Sequence, residues 1–414
     1  MPDPSTQQSS PVITAIFAGG GTGGHLYPAI AIAEALAARI KDTHPDTPLR
    51  CVFLCSDRQI DQTILSNTTI EHAQIEIIPT GAKPMLTSPR GLLSFARSWR
   101  PTVRHARDVI RDAAKSSTHC IVIATGGFVA APVVAAACKE PSLVAMCSLD
   151  AVEGKANALI ERMLARHGGI VLDATLHGKS TPHAKAGVAT HRVGPLLRRA
   201  SLAPGDQHQC KQLLSLDPER PVLAVIGGSS GATSLNTAWM RFVSQHADAL
   251  QHWHVLHQAR ADEHDTLRAG YDSAKIDARI ESLFDPMGVV WGAADLAISR
   301  AGASSVAEVA ANATPTVFVP YPYHKDMHQL YNAELLKNRS AAEIVREIVN
   351  DPNATVNRFA ETVVPLLGDQ AARDAIRSRL VSLSKSESDE NSIYIGPFGA
   401  DLAATALLSS LALY

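Results

Sequence analysis

The stretch FAGGGTGGHLYPAIAIAEAL runs from Phe17 to Leu36 and holds five glycines in six positions, Gly19 to Gly24, broken only by Thr22. His25 stands directly behind them. An apolar, β-rich run, VITAIFA, comes before this turn and an amphipathic helical pattern from Pro28 to Ile40 comes after it. Strand, glycine turn and helix in that order bring free backbone N–H groups and the positive end of a helix dipole to one point, which favours an anion such as phosphate. The dipole opposes protonation of an imidazole at that point, so His25 suits a general base that takes a proton from a hydroxyl. The plainer alternative is a histidine that only hydrogen-bonds the loop.

Working outward, short apolar runs alternate with longer helical segments. RCVFLCS precedes a helix from Arg58 to Leu65, HCIVIAT one from Val129 to Cys138, and LVAMC one from Lys155 to Ala165. A second series starts at PVLAVIGG and continues through WHVLH, DLAISR and PTVFVP. Such alternation predicts parallel strands with crossover helices, hence an α/β fold of two doubly wound domains. The Pro- and Gly-bearing segment from Val193 to Asp217 reads as the join. The expected organisation is a disordered tail over 1–11, one domain over 12–200, a second over 201–384, and a loop with a terminal helix over 385–414 that returns to the first domain. Two further glycine clusters, GGFVAAP and GGSSGATSLN, also sit where a strand ends and a helix begins. GxxxxGK[ST] is absent and the run is not read as a dinucleotide fingerprint, so a P-loop ATPase or a plain dinucleotide binder is not supported.

A formal net charge of -2 over 414 residues gives no global attraction to nucleic acid. The six cysteines form no CxxC pair and lie mostly in apolar runs, the pattern of buried reduced thiols in a cytosolic protein. The first eleven residues lack the basic start and apolar stretch of a signal peptide, and no apolar run is long enough to span a bilayer. The expectation is a soluble protein, or one lying on a membrane surface.

The strings GGGTGGHLYPAIAIAEAL, TGGFVAAP, GKAN, VIGGSSGATSLN, SRAGASSVAEVA and VPYPYHKDMHQLYNAELL, in that order, resemble the MurG-type N-acetylglucosaminyltransferases of bacterial cell-wall synthesis. The resemblance covers about Val12 to Leu336. It implies a GT-B architecture, two Rossmann-like domains facing across a cleft. It also implies inverting transfer of GlcNAc from UDP-GlcNAc to the muramyl 4-hydroxyl of a polyprenyl-diphosphate-linked acceptor, lipid I, giving lipid II. By the same resemblance Thr22, Gly23 and Gly24 lie beside the reacting diphosphates and His25 is the base. Arg198 and Ser229 meet the donor's phosphates, Phe284 and Met287 the uracil, and Glu308 the ribose hydroxyls. Ala303, Ser304 and Ser305 belong to the donor-binding string, and His328 and Gln329 fall where the family reads the GlcNAc hydroxyls. A carboxylate on a cis-diol and an arginine on a diphosphate are charge-assisted contacts, worth about 1.5–3 kcal/mol each when shielded. The chain contains no DxD pair, so no metal held by paired aspartates and no cofactor is expected; assistance by a divalent cation stays open, and Arg198 with the loop dipoles would carry the leaving diphosphate.

The sequence departs from the family at CSLDAVEGKAN, where Cys147, Ser148, Leu149 and Asp150 stand in place of His-Glu-Gln-Asn and Glu153 in place of proline. Asp150 is expected at the substrates, where it sets a charge near a diphosphate in place of an amide. VGPLLRR and HQAR also differ from the family's strings. The donor half is thus better preserved than the acceptor half. Two other readings stay open: a GT-B transferase with a different lipid or glycan acceptor, and a UDP-sugar-binding protein without turnover.

Between Lys83 and Arg111 seven basic residues face one acidic residue, Asp108. Apolar positions 92, 96, 99, 103, 106 and 110 keep helical spacing, with Arg97, Arg100, Arg104, Arg107 and Arg111 one step round. Leu92, Phe95 and Trp99 with Arg97, Arg100 and Arg104 are expected to face an anionic membrane surface, which the resemblance implies is the cytoplasmic face of the bacterial inner membrane. The alternative is an ordinary helix with its stripe in the core. Pro101 is expected to kink this helix or start a new one.

Overall fold

The computed structural model describes residues 12–84, 88–149, 155–176, 188–228, 232–323, 327–349, 351–385 and 399–411. In chain order the first half holds β1 (Ile13–Gly19), α1 (Gly23–Thr43), β2 (Leu49–Cys55), α2 (Gln59–Ser66), β3 (Ala73–Pro79), α3 (Pro89–Ser116) and β4 (His119–Gly126). It continues with α4 (Gly127–Ala137), β5 (Leu143–Ser148), α5 (Lys155–His167), β6 (Ile170–Asp173) and β7 (Ala189–Arg192). The second half holds α6 (Gln207–Leu213), β8 (Val222–Ile226), α7 (Thr233–Gln245), β9 (His254–Gln258), α8 (His264–Ser273), β10 (Ala278–Glu281) and α9 (Met287–Ala293). It closes with β11 (Leu296–Ser299), α10 (Ala303–Ala311), β12 (Thr316–Phe318), α11 (His328–Lys337), β13 (Glu343–Ile344), α12 (Pro352–Gly368), α13 (Gln370–Lys385) and α14 (Gly399–Ser410).

The strands form two all-parallel sheets, ordered β3-β2-β1-β4-β5-β6-β7 and β10-β9-β8-β11-β12-β13. Helices cover both faces, so the central strands β1 and β8 are buried along their whole length and read as unbroken apolar runs. The order reverses between β1 and β4 in one sheet and between β8 and β11 in the other. Ligands bind doubly wound sheets at the carboxyl ends of strands flanking such a reversal. All three glycine turns follow strands that flank one: β1, β4 and β8.

Each sheet has its own core. Phe17 stacks on Phe53 at 5.0 Å in the first, and Trp239, Phe242 and Phe359 cluster in the second. The change of core falls between neighbours: Leu196 packs with the first domain and Leu197 with the second. Helix α14 buries Ala403, Ala404, Leu407 and Leu408 in the first core and packs on α1. Both glycine-led helices start earlier than their apolar period indicates, α1 at Gly23 and α4 at Gly127. Glycine ends carry no apolar side chain to mark the period. Helix α3 is continuous across Pro101 and does not restart there.

One buried polar chain in the second domain fixes a titratable group. Trp239 Nε1 donates to the Tyr271 hydroxyl at 2.8 Å, and His257 Nδ1 lies 2.8 Å from that hydroxyl. His257 Nε2 lies 3.1 Å from Asn236 Oδ1, and Asn236 Nδ2 donates to Glu263 at 3.2 Å. Indole only donates and an ionised carboxylate only accepts, so every bond runs one way and His257 is the neutral Nε2–H tautomer. Burial, with the nearby His264, holds the His257 pKa down at about 3, against an ordinary 6.5. Above pH 6.5 neither folded nor unfolded chain is protonated there; below it the unfolded chain takes a proton that the folded chain refuses. Lowering pH from 7 to 5 therefore costs about 2 kcal/mol from this residue alone. Urea unfolding of wild type beside His257→Gln checks this: the variant is less stable at pH 7 and loses stability less steeply toward pH 5.

Candidate active site

The carboxyl ends of both sheets open into one cleft of about 780 Å³. From the first domain Thr22, Gly23, Gly24 and His25 line it, and Arg198 lines it at the junction. From the second come Phe284, Met287, Ala303, Ser304, Ser305, Glu308, His328 and Gln329. Ser229 and Asp150 lie outside the described residues.

The glycines of the first turn fall into two sets. A Cβ on Gly19 would lie 2.2 Å from Thr125 Oγ1, on Gly20 2.4 Å from Asp61 Oδ2, and on Gly21 2.8 Å from the Phe128 ring. These three are required for packing. The Gly21 N–H donates to both oxygens of Asp61, at 3.0 and 2.8 Å, and so faces a buried carboxylate and not a ligand. Only the later part of the turn, Thr22 to His25, reaches the cleft.

His25 is half-buried in the first turn of α1, with Nδ1 3.2 Å from Thr22 Oγ1. The imidazole also rests on the second glycine turn. A Cβ on Gly126 would fall 2.7 Å from His25 Cδ2, and one on Gly127 3.1 Å from Nδ1. Gly126 and Gly127 have φ of +117° and +78°, so glycine is demanded twice, by backbone and by ring. The second glycine turn thus seats His25.

Helices α1, α10 and α11 all begin at the cleft, and none has an acidic residue in its first turn. The positive ends of their dipoles make the cleft a place for anionic and hydroxyl-rich ligands. Arg198 Nε donates to Glu34 at 3.1 Å, and its guanidinium lies over the Tyr27 ring at 5.9 Å. Glu308 accepts from Ser201 Oγ at 3.0 Å and from Trp291 Nε1 at 2.8 Å, one donor per oxygen. Burial raises its pKa, while Trp291, Ser201 and Arg198 pull it back down. Each carboxylate oxygen retains a further lone pair for a hydroxyl. Gln329 Oε1 accepts from the Tyr321 N–H at 3.0 Å, and its NH₂ group has no partner among the described residues.

Several cleft residues escaped the sequence reading. Arg300 is buried, paired with Glu347 at 3.0 Å and bonded to the Val319 carbonyl at 2.9 Å. It stands directly before the AGASS string, which is the signal that could have found it. Tyr27, two residues after His25, was equally findable. Thr63, Asn67 and Thr68, around the end of α2, are ordinary polar residues with no sequence signal. Of the CSLD segment, Cys147 and Ser148 end β5 buried, and Leu149 lines the cleft.

The basic helix is split between two environments. Thr102, Ala106, Ile110 and Ala113 of α3 are buried, Phe95 and Trp99 are half-buried and pack edge to face at 5.6 Å, and Leu92 and Leu93 are 48% and 51% exposed. Glu140 corrects the charge count: it binds Arg107 at 2.5 Å and Arg111 at 2.9 Å. Arg97, Arg100 and Arg104 are exposed. No described helix is long and apolar enough to cross a membrane.

Residues 15–167 match the glycosyltransferase family 28 N-terminal domain and residues 222–377 the family's C-terminal domain. A UDP-N-acetylglucosamine--N-acetylmuramyl-(pentapeptide) pyrophosphoryl-undecaprenol N-acetylglucosamine transferase from Desulforudis audaxviator is 31% identical, over 89% of this chain and 94% of its own length. The enzyme of the same name from Prosthecochloris aestuarii is 30% identical, over 87% and 92%. Among solved structures, Acinetobacter baumannii MurG superposes with a TM-score of 0.62 at 19% identity, covering 96% of this chain and 99% of that one. Phytolacca americana UGT2, complexed with UDP-2fluoro-glucose and pterostilbene, superposes with a TM-score of 0.63 at 15% identity, covering 98% and 99%. This chain belongs to glycosyltransferase family 28 and is a glycosyltransferase of the GT-B fold.

Proposed function

We propose that the chain transfers GlcNAc from UDP-GlcNAc, with inversion, to the muramyl 4-hydroxyl of undecaprenyl-diphosphate-MurNAc-pentapeptide, turning lipid I into lipid II for peptidoglycan synthesis. The observation that carries the chemistry is His25, seated on Gly126 and Gly127 at the positive end of α1 inside the cleft. In the tautomer that carries its proton on Nδ1, 3.2 Å from Thr22 Oγ1, Nε2 is the basic nitrogen that takes the proton of the incoming hydroxyl. As the acceptor oxygen bonds to C1 of GlcNAc, its proton passes to His25, the C1–O bond to UDP breaks, and the electron pair leaves on the diphosphate. Arg198 and the first-turn N–H groups of α1 and α10 meet that charge, and the reading invokes no metal. Phe284 and Met287 hold the uracil, Glu308 accepts from the ribose diol, and His328 and Gln329 read the sugar.

Leu149 favours a second reading, since it brings an apolar side chain to the cleft from the segment that departs from the family. In that reading the donor is unchanged and the acceptor is another lipid or glycan. Radiolabelled transfer to a short-chain lipid I analogue separates the two. Wild type forms labelled lipid II, and His25→Ala falls by about 10²–10⁴ in kcat with UDP affinity kept. Binding of UDP-GlcNAc with lipid I left untouched would point to the other acceptor.

Glu308 gives a pH signature. Its raised pKa means that it becomes neutral at a higher pH than an ordinary carboxylate, and a neutral acid accepts less strongly from a diol. Uridine, which does not titrate in this range, is expected to bind more weakly as pH falls through that window. Glu308→Gln binds it at least about tenfold more weakly and without that slope.

The chain is further proposed to lie on the cytoplasmic face of the inner membrane through the open end of α3. Leu92 and Leu93 would enter the headgroup layer, with Arg97, Arg100 and Arg104 on anionic lipid. Replacing the three arginines by glutamine is expected to weaken binding to phosphatidylglycerol vesicles by about 100-fold, at about 1 kcal/mol each. Sedimentation with vesicles at two salt concentrations reads this loss and its disappearance at high salt.

A further inference from the structure

Arg198 stands one residue beyond the point where the chain changes cores, so its backbone begins the second domain while its side chain is held by the first. The holder is α1. Tyr27 and Glu34 are seven residues apart, two turns along one face of that helix, and Arg198 spans both: Nε on Glu34 Oε1 at 3.1 Å, the guanidinium over the Tyr27 ring at 5.9 Å. The pair is mostly shielded, with side chains 18% and 23% exposed. Among the described residues the two terminal amino groups of Arg198 have no partner, although the residue lines the cleft. Three residues on, Ser201 donates to Glu308. The junction is thereby tied to α1 on one side and to Glu308 on the other.

We propose that Glu34 is a positioning residue for the donor: by accepting from Nε of Arg198 it fixes the guanidinium on α1 and leaves the terminal amino pair for the diphosphate of the UDP-sugar. The proposal rests on the reading that Arg198 meets that diphosphate. An unheld arginine has many rotamers to lose on binding, and the planar fork binds a diphosphate well only when its plane is set in advance. A carboxylate on Nε sets that plane without using the fork. Tyr27 supports the guanidinium from its flat side.

The test compares UDP with uridine, which lacks the diphosphate, by isothermal calorimetry and competition on wild type, Glu34→Ala, Glu34→Gln, Arg198→Ala and the double alanine variant. Glu34→Ala is expected to weaken UDP binding about tenfold and leave uridine binding unchanged, a coupling typical of charged groups in contact. Glu34→Gln keeps an acceptor for Nε and stays within about threefold of wild type. In the Arg198→Ala background the Glu34 substitution has no further effect, because there is nothing left to position. Four outcomes would overturn the proposal: tighter UDP binding by Glu34→Ala, equal loss of UDP and uridine, a glutamine variant as weak as the alanine one, or an undiminished effect without Arg198. If Arg198→Ala itself leaves UDP binding intact, the underlying assignment of Arg198 fails instead, and the two failures are told apart.

Discussion

A single buried carboxylate sets the shape of the first glycine turn. Asp61 is fully buried and accepts from the Gly21 N–H twice, from the Ser56 N–H at 3.0 Å and from the Ser56 hydroxyl at 2.6 Å. A carboxyl group removed from water is tolerable only with such a full set of hydrogen-bond partners. To supply them the chain must pass over the oxygens at Gly20 and Gly21, with φ of +156° and +89° and no room for a Cβ. Arg58 clamps the turn from the other side, donating to the Gly21 carbonyl at 2.9 Å while lying over the Phe128 ring. Helix α1 then has little choice of where to start, and His25 falls into its first turn against Gly126. The position of His25 is thus decided by a residue in α2 that does not line the cleft.

The cleft's electrostatics follow from the same economy. Three helix N-termini without first-turn carboxylates give a positive field from backbone alone, which needs no side-chain ordering when a ligand arrives. Against that field stands one carboxylate held by burial above its ordinary range, Glu308, kept usable by an indole, a hydroxyl and Arg198. The cleft thus separates its acceptor, in mid-α10, from its donors, at the helix starts. Arg300 takes no part in this balance, because Glu347 already answers its charge.

The fold was legible because buried parallel strands read as unbroken apolar runs and each glycine turn marks a strand end. What escaped were short edge strands such as β7, whose four residues ATHR are all exposed and carry no apolar signal, and the starts of α1 and α4. The second-domain wall of the cleft was legible through strings that stand in one element each, such as the first turn of α10. The first-domain wall at Thr63, Asn67 and Thr68 was not, since polar residues around a helix end look alike whether they face water or a cleft. The glycine run was read as one anion-binding unit, and the structure divides it because packing against Thr125, Asp61 and Phe128 depends on residues far away in sequence.

Helix α3 shows the same limit from another side. One apolar stripe of constant period runs its length, yet Ala106 and Ile110 are in the core while Leu92 is in the open. Period records which face is apolar and says nothing about how far the neighbouring layer extends. The arginines divide at the same place: Arg107 and Arg111, over the covered part, are answered by Glu140 from the turn after α4, a partner no local count could include. The departure at CSLD obeys the same logic. Cys147 and Ser148 are enclosed at the end of β5, where burial pushes the thiol up to about 12 and a bulky polar side chain would have no space, so those two replacements concern packing. Leu149 is the described position of that segment where the change reaches the cleft, and an apolar side chain there offers an incoming substrate contact without a hydrogen bond.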